Sequence, residues 1–572
     1  MNLNQKRFGK LNVFLKNKIM ELGGKPLLKE LDQASQNLEQ AQQTVLLHQL
    51  QYAKDTQIGK KYRWDKITSV REFQDAFPIS TYEDFRPYIQ QMQQGKADVL
   101  FPGKPRFYVT TSGTTAQPKY IPISDAYYHD LYSKQSRILY ASMLQENPKM
   151  LSGYNFSVVS KAVEGVTEDG TPYGAMSGHI YLDIPGFLKS GYSIPYPVFE
   201  IEDYNSRYYC MMRFALEKDV TYLVSVNPTS ILQLNHVVNA RFEDLIADIH
   251  KGTLHPNLQI TETQRSQLAS FLTPNPKLAE QLSILRKEND PILPKHYWQN
   301  LVVRNSWANG NCRFYHPEVQ GLLPDTTQFR EFGYQSSEIR AGVSLSNEDY
   351  SSVLMCHLAF FEFIKVTDFE SQPNPRVYLS HELELRTPYY LVFTAPNGLY
   401  RYHIHDIIEV TGYYNEFPKI IFLQKGKGVV SLTGEKLYES QVFSAVEQTG
   451  KELNLSLRFF VGFGDLQKLV YTLYVECFSI PTPDRCTAFQ THLDHTLGVM
   501  NQEYQLKRAS GRLAPIQVRL LPRDSFDRYK MNQMKNGKHP DAQFKMIHLM
   551  QDETKLKFFE RLAQEYDQKK AE

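Results

Sequence analysis

The chain has 572 residues, which at roughly 150 residues per domain leaves room for two to four domains and a large core. Hydrophobic residues make up 42% and charged residues 22%, with Gly and Pro at 30 each, a composition that excludes fibrous, low-complexity and disordered classes. Lys and Arg total 64 against 62 Asp and Glu, so no global field draws the chain to nucleic acid or an anionic membrane, and any ligand must be recognised locally.

In chain order, apolar residues first recur at Leu31, Ala34, Leu38, Ala41 and Val45, alternating steps of three and four that predict one amphipathic helix with a buried stripe. The segment FYVTTSGTTAQPKYIPIS, residues 107–124, runs from a strand-like FYVTT into a turn rich in small hydroxyl residues. Thr111, Ser112, Gly113, Thr114 and Thr115 are followed by Lys119. Such a loop can offer backbone N–H groups, hydroxyls and an ammonium to phosphate oxygens, or it can be a polar turn between strands; the P-loop pattern is absent. Short apolar runs such as NFSVVS and TYLVSV then alternate with helix-like stretches, one of them 228–238, which implies α/β layering. EFGYQSSEIRAG, residues 331–342, is a Ser-rich loop carrying Glu338. YYLVFTA, then Pro396, Asn397 and Gly398, then LYRYHIHDIIEVTG predict a β-hairpin, since Asn-Gly supplies the positive φ of a tight turn. Strand alternation puts His403 and His405 on one face and Asp406 on the other. No further ligand follows that pair at metalloenzyme spacing, which argues for two strand histidines over zinc.

QKGKG, residues 424–428, cannot be core and marks a hinge. Beyond it the pattern predicts a helix at 435–453, strands at 457–462 and 469–477, a helix at 482–504, a strand at 516–521 and a last helix, with the terminal DQKKAE a solvated tail. The expected division is a large N-terminal α/β domain over 1–424, a hinge at 425–430 and a smaller mobile α+β domain over 431–572. HLDH at 492–495 reads as a solvated helix face. The five cysteines are odd in number, widely spaced and without a CxxC pair, and Cys312 and Cys356 lack the His-Asp constellation that thiol catalysis needs. With no secretory pattern at the N-terminus and no stretch of about 18 apolar residues, a soluble, monomeric cytoplasmic protein is expected, with no membrane or nucleic-acid partner.

TTSGTTAQPK resembles the phosphate loop of the adenylate-forming superfamily that includes firefly luciferase. Together with DTQIGKKYRWDKITSVREFQDAFPISTYEDFRPYI before it and TEDGTPYGAMSG after it, the segment resembles the auxin-responsive Gretchen Hagen family of acyl acid amido synthetases, in its bacterial branch. The resemblance spans about Asp55 to Lys545. It implies a luciferase-like two-domain ligase that uses ATP and Mg²⁺ to adenylate a small carboxylic acid and passes the acyl group to an amino acid amine. By the Tyr-x-Ser-Ser-Glu signature, Tyr334 would pack on adenine, Ser336 and Ser337 would lie at the nucleotide, and Glu338 would ligate Mg²⁺ and act in catalysis. By the Tyr-Arg-Tyr-Arg-x-Gly-Asp segment, Asp406 would accept the ribose hydroxyls, although His403 stands where the family has Arg and His405 where it has Gly. Ser112 to Thr115, with Thr111 and Lys119, would hold phosphates, Lys425 replaces the family's arginine after the hinge strand, and Lys545 is the catalytic lysine brought in by the small domain. Rival readings are an acyl-CoA ligase sharing the adenylation step and an inactive binding protein of the same fold.

Overall fold

A computed structural model of the chain describes residues 3–111, 119–372, 374–426, 429–433, 435–509, 513–535 and 546–571. The chain divides into two compact units, the first running to Phe422 and the second beginning at Leu423. Among the described residues no helix is long and apolar enough to cross a membrane.

Among the described residues, three sheets build the first unit. One is all parallel, in the order Tyr154–Ser157, Val220–Val224, Val303–Ser306, Gln328–Glu331. Its middle strands are buried along nearly their whole length, as strands covered on both faces must be, which is why TYLVSV reads as a mostly apolar run without strict alternation. The second sheet pairs Phe107–Thr111 antiparallel with Lys119–Ile123 and parallel with Pro172–Gly174. The third has seven strands around the hairpin Pro388–Ala395 and Leu399–Tyr414, whose turn falls at 396–398 as the Pro-Asn-Gly signal predicts. Gly398 sits at φ +86°, where a Cβ would meet Leu100 Cβ at 2.6 Å, so only glycine closes this turn against the core. The core between the sheets and the N-terminal helices is dense in rings; Trp64 meets Tyr400 edge-on at 4.4 Å, and Phe77 packs beside both.

The second unit is a four-stranded sheet, ordered Gln517–Leu520, Val470–Cys477, Leu457–Asp465, Leu549–Met550, with helices Glu439–Glu452, Pro483–Met500, Gln502–Ala509, Ser525–Lys535 and Glu553–Ala571. Phe459, Phe463 and Phe559 are central to its own core.

Several predicted elements are corrected. The stripe from Leu31 to Val45 belongs to two helices, Leu3–Ala34 and Leu38–Ala53, because the Asn37 side chain accepts from the Gln40 N–H and caps a new start; Leu31, Leu38 and Val45 are buried all the same. The helix predicted at 435–453 begins at Glu439: the Glu435 carboxylate instead accepts from the Leu432 and Thr433 N–H groups and the Tyr471 hydroxyl, and Leu437–Tyr438 forms a strand with Val429–Val430. The 482–504 helix breaks at Asn501, whose Oδ1 accepts from the Tyr504 N–H and opens a second helix. The solvated tail is part of the last helix, which runs to Ala571, with Asp567 and Gln568 exposed. Within HLDH, Asp494 is engaged by the Arg508 guanidinium and the Tyr504 hydroxyl rather than merely solvated.

Candidate active site

The strand Gln328–Glu331 delivers the chain into the segment that carries Tyr334 and Glu338. Its last residue, Glu331, is buried and accepts from the Ala308 and Phe332 N–H groups, pinning the strand end; burial pushes its carboxyl up to about 8. Gly333 follows at φ +93°, where a Cβ would meet the Gly342 carbonyl oxygen at 2.3 Å, so the loop can return on itself only through glycine. The Ala341 and Gly342 N–H groups then donate to the Tyr334 carbonyl at 3.0 Å.

Between these ends lies a tight turn. Ser336 Oγ accepts from the Glu338 and Ile339 N–H groups at 3.2 and 3.1 Å, the Ser336 N–H donates to the Ile339 carbonyl at 2.8 Å, and Gln335 pairs with Arg340 across the turn. Glu338 is thereby set at the tip. Its carbonyl accepts from Asn397 Nδ2 at 2.8 Å, and its side chain, with the residue only 9% exposed, has no ion-pair or hydrogen-bond partner among the described residues. Ser337 is half-buried in the same turn. Asn397 belongs to the hairpin turn, and Ser124 Oγ at the end of the 107–124 motif donates to the neighbouring Pro396 carbonyl at 2.6 Å. One turn of three residues therefore ties together the segments after the Ser-Gly-Thr loop and around the Ser-Ser-Glu loop.

Asp406 arrives on the long hairpin strand and meets the same place. Tyr334 Oη donates to its Oδ2 at 2.7 Å, and burial, with Asp406 next, drives the Tyr334 hydroxyl well above its ordinary range. Tyr402 is raised likewise by burial and by Glu338 and Asp406. Two carboxylates 68 positions apart in sequence thus act on the same two tyrosines, Tyr334 and Tyr402.

Regular strand alternation, used to place His403, His405 and Asp406, does not hold here. The register against the partner strand slips between Tyr390↔Ile407 and Val392↔His403, and again between Phe393↔Tyr402 and Ala395↔Leu399, so the strand bulges in both places. The bulges contain positive φ at His405, +60°, and Arg401, +43°. The backbone at 405 is thus in the glycine-favouring conformation although the residue is histidine. His403 and His405 rings still lie 4.2 Å apart. His403 is buried against Phe369 and Tyr390 with no hydrogen bond to either ring nitrogen among the described residues, and burial, then His405, pushes its imidazole down to about 3. No group of three or more metal-ligating side chains occurs among the described residues.

Of the other predicted site residues, Thr111 ends its strand in register with Lys119, whose ammonium lies 5.3 Å above the Tyr82 ring. Lys425 is exposed at the end of the strand Phe417–Lys425, in the second unit. Ser112, Gly113, Thr114, Thr115 and Lys545 lie outside the described residues, as do Lys427 and Gly428 of the expected hinge. The pattern reading missed Asn397 as a site-building residue, and it missed Arg401, which clamps Glu362 through two 2.9 Å hydrogen bonds and donates to the Gln74 and Phe77 carbonyls. It also missed Arg340, whose only sequence signal is a charge amid small and apolar residues.

Comparison with known proteins matches residues 27–328 to the GH3 family N-terminal domain, 352–425 to its central domain and 440–554 to its C-terminal domain. The chain is 25% identical over 553 residues to a probable indole-3-acetic acid-amido synthetase, GH3.11, of Oryza sativa subsp. japonica, covering 89% of this chain and 91% of that protein. It is 27% identical over 482 residues to the indole-3-acetic acid-amido synthetase GH3.15 of Arabidopsis thaliana, covering 80% and 78%. Its fold is that of a solved GH3.15 acyl acid amido synthetase, with a TM-score of 0.81 at 23% identity over 94% of this chain and 96% of that one.

Proposed function

The chain belongs to the GH3 family, the Gretchen Hagen family, and from that membership we propose that it is an ATP-dependent ligase that adenylates a carboxylic acid and transfers the acyl group to an amino acid amine. The observation that carries this reading is the convergence of Glu338, Tyr334 and Asp406, brought together by the hairpin turn through Asn397.

In the first half-reaction an oxygen of the acid attacks the α-phosphorus of ATP and pyrophosphate leaves. Asp406, an acceptor-only group when ionised, suits the ribose hydroxyls, and Tyr334, anchored by its hydroxyl, can present its ring to the adenine. Thr111 to Thr115 with Lys119, and Lys425 and Lys545 of the second unit, are the candidates for phosphate contact, with Lys545 stabilising charge that develops on the α-phosphate. Glu338 fits a Mg²⁺ ligand because it is a hard oxygen donor, buried and without a cation partner among the described residues. A cation held there would neutralise polyphosphate charge. In the second half-reaction the amine attacks the acyl carbon, AMP departs, and the amine loses a proton to give the amide. Cys210, Cys356 and Cys477 are buried free thiols, which supports a reducing, cytoplasmic setting.

Pyrophosphate release is to be measured across a panel of carboxylates, with amino acids or coenzyme A added, and the products weighed by mass spectrometry. Acid-dependent release and an amide product are expected, with Glu338→Ala nearly abolishing release; a thioester product would assign the acceptor to coenzyme A, and absence of release with every acid would refute adenylation.

A further inference from the structure

The turn 335–340 carries two buried charges of opposite sign that do not meet. Glu338 has no cation, and Arg340, 8% exposed, has no carboxylate among the described residues. The other buried arginines differ. Arg213, Arg330 and Arg401 each hold a carboxylate, at 3.0, 2.7 and 2.9 Å, and Arg304 donates to His316 Nδ1.

Arg340 is kept from Glu338 by its own packing. Nε donates to Gln335 Oε1 at 2.6 Å, Nη1 donates to Ser136 Oγ at 2.5 Å, and the guanidinium lies 4.0 Å over the Tyr132 ring and 5.5 Å from Phe332. Nη2 makes no hydrogen bond among the described residues. A fixed, desolvated guanidinium with neutral partners on one side and an unused donor edge on the other is a preorganised anion receptor. The surrounding hydroxyls of Tyr127, Tyr132 and Tyr140 are all held protonated by burial, so the walls are aromatic and neutral. Such a setting suits the single carboxylate of an organic acid better than a polyphosphate, whose several charges call for several cations.

We propose that Arg340 recognises a carboxylate of the acyl substrate, which makes it a specificity-determining residue of this enzyme. The inference rests on the acid-adenylating reading above, and it leaves to experiment which carboxylate is held, the reacting one or a second one on a dicarboxylic acid.

The test compares the full-length wild type with Arg340→Met, which keeps the stem, and Arg340→Lys, which keeps the charge without the fork. Steady-state pyrophosphate release is read against mono- and dicarboxylic acids and against ATP. Losing a charged hydrogen-bonded pair should raise the KM for acid in Arg340→Met by roughly ten- to a hundredfold, with the KM for ATP within about twofold and a smaller rise in Arg340→Lys. A rise for all acids assigns the reacting carboxylate; a rise confined to dicarboxylic acids assigns the second. An unchanged KM for acid, or a rise for ATP alone, overturns the proposal. Should Arg340→Met fail to fold by circular dichroism, Arg340→Lys decides on the same criteria. If the wild type releases no pyrophosphate with any acid, the adenylation reading fails separately, and titration of the acids by calorimetry without ATP decides Arg340: weaker binding to the variant supports it, and equal or absent binding overturns it.

Discussion

The Tyr334 hydroxyl donates a 2.7 Å hydrogen bond to Asp406 Oδ2, closing the loop after one sheet onto the central hairpin of another. Burial keeps that hydroxyl protonated, so it serves as a donor across the working pH range, and it fixes both the ring and the carboxylate.

Removing either partner should have unequal effects on nucleotide binding. Asp406→Ala deletes the charged acceptor and is expected to weaken ATP by about 1.5 to 3 kcal/mol, whereas Tyr334→Phe keeps the carboxylate and should lose about 1 kcal/mol. Calorimetric titration with ATP checks both, and unaltered affinity in Asp406→Ala would remove that residue from the nucleotide site.

Lys545 should matter to one half-reaction. If the second unit swings about the 424–428 segment, Lys545→Ala slows acyl-adenylate formation on the order of a hundredfold, the usual cost of one oxyanion-type donor, and spares transfer to the amine. Supplying preformed acyl-adenylate with the acceptor is the check; equal loss in both steps would contradict a swinging lysine.

His405 occupies a left-handed backbone conformation, φ +60°, that costs an L-residue about 1 to 2 kcal/mol. His405→Gly relieves this and gives back about 0.4 to 1 kcal/mol through the freer unfolded chain, so a net gain of about 0.5 to 1 kcal/mol is expected. His405→Val, β-branched at the same φ, should destabilise. Urea midpoints for the two variants give the answer, and a glycine variant less stable than the valine one would mean that the contact with the His403 ring outweighs the backbone.

His403 predicts a specific acid sensitivity. Its imidazole is held at about 3 in the folded protein, against about 6.5 for an unfolded chain. Above that value both states are neutral and the residue adds no pH dependence. As pH falls from about 6.5 towards 3 the unfolded chain takes up a proton that the folded one refuses, so stability is lost. His403→Phe, suited to the Phe369 and Tyr390 rings, removes this proton uptake. The difference in unfolding free energy between wild type and variant should be flat above pH 7 and should shift in the variant's favour below pH 6, by at most about 1.4 kcal/mol per pH unit. Denaturation at a series of pH values measures it, and parallel curves throughout would show that His403 is protonated in the fold.

Much of the fold was legible because its signals are local. Pro396, Asn397 and Gly398 encode their turn in their own φ preferences, and the strand Val220–Val224 announces double-sided burial by an apolar run that only Thr221 interrupts. Apolar spacing likewise identified Leu31, Leu38 and Val45 as buried, because burial depends on the face a residue occupies and survives a helix break. The break itself was not legible, since an asparagine such as Asn37 or Asn501 is compatible with helix interior and cap alike, and the choice is made by which N–H it meets. Tyr334, Glu338 and Asp406 were singled out as candidates by motif, but their convergence depends on Asn397 reaching the Glu338 carbonyl across 59 positions, a distance over which sequence periodicity carries no information. The bulges that put His405 at positive φ depend on register against a neighbouring strand, and Arg340 is separated from Glu338 by a contact with Ser136, 204 positions away. Composition and spacing record what each segment prefers and which face it buries; which charge finds a partner and which is left for a ligand is decided only when distant segments pack, because hydrogen bonds act over about 3 Å and the chain sets no such distance until it has folded.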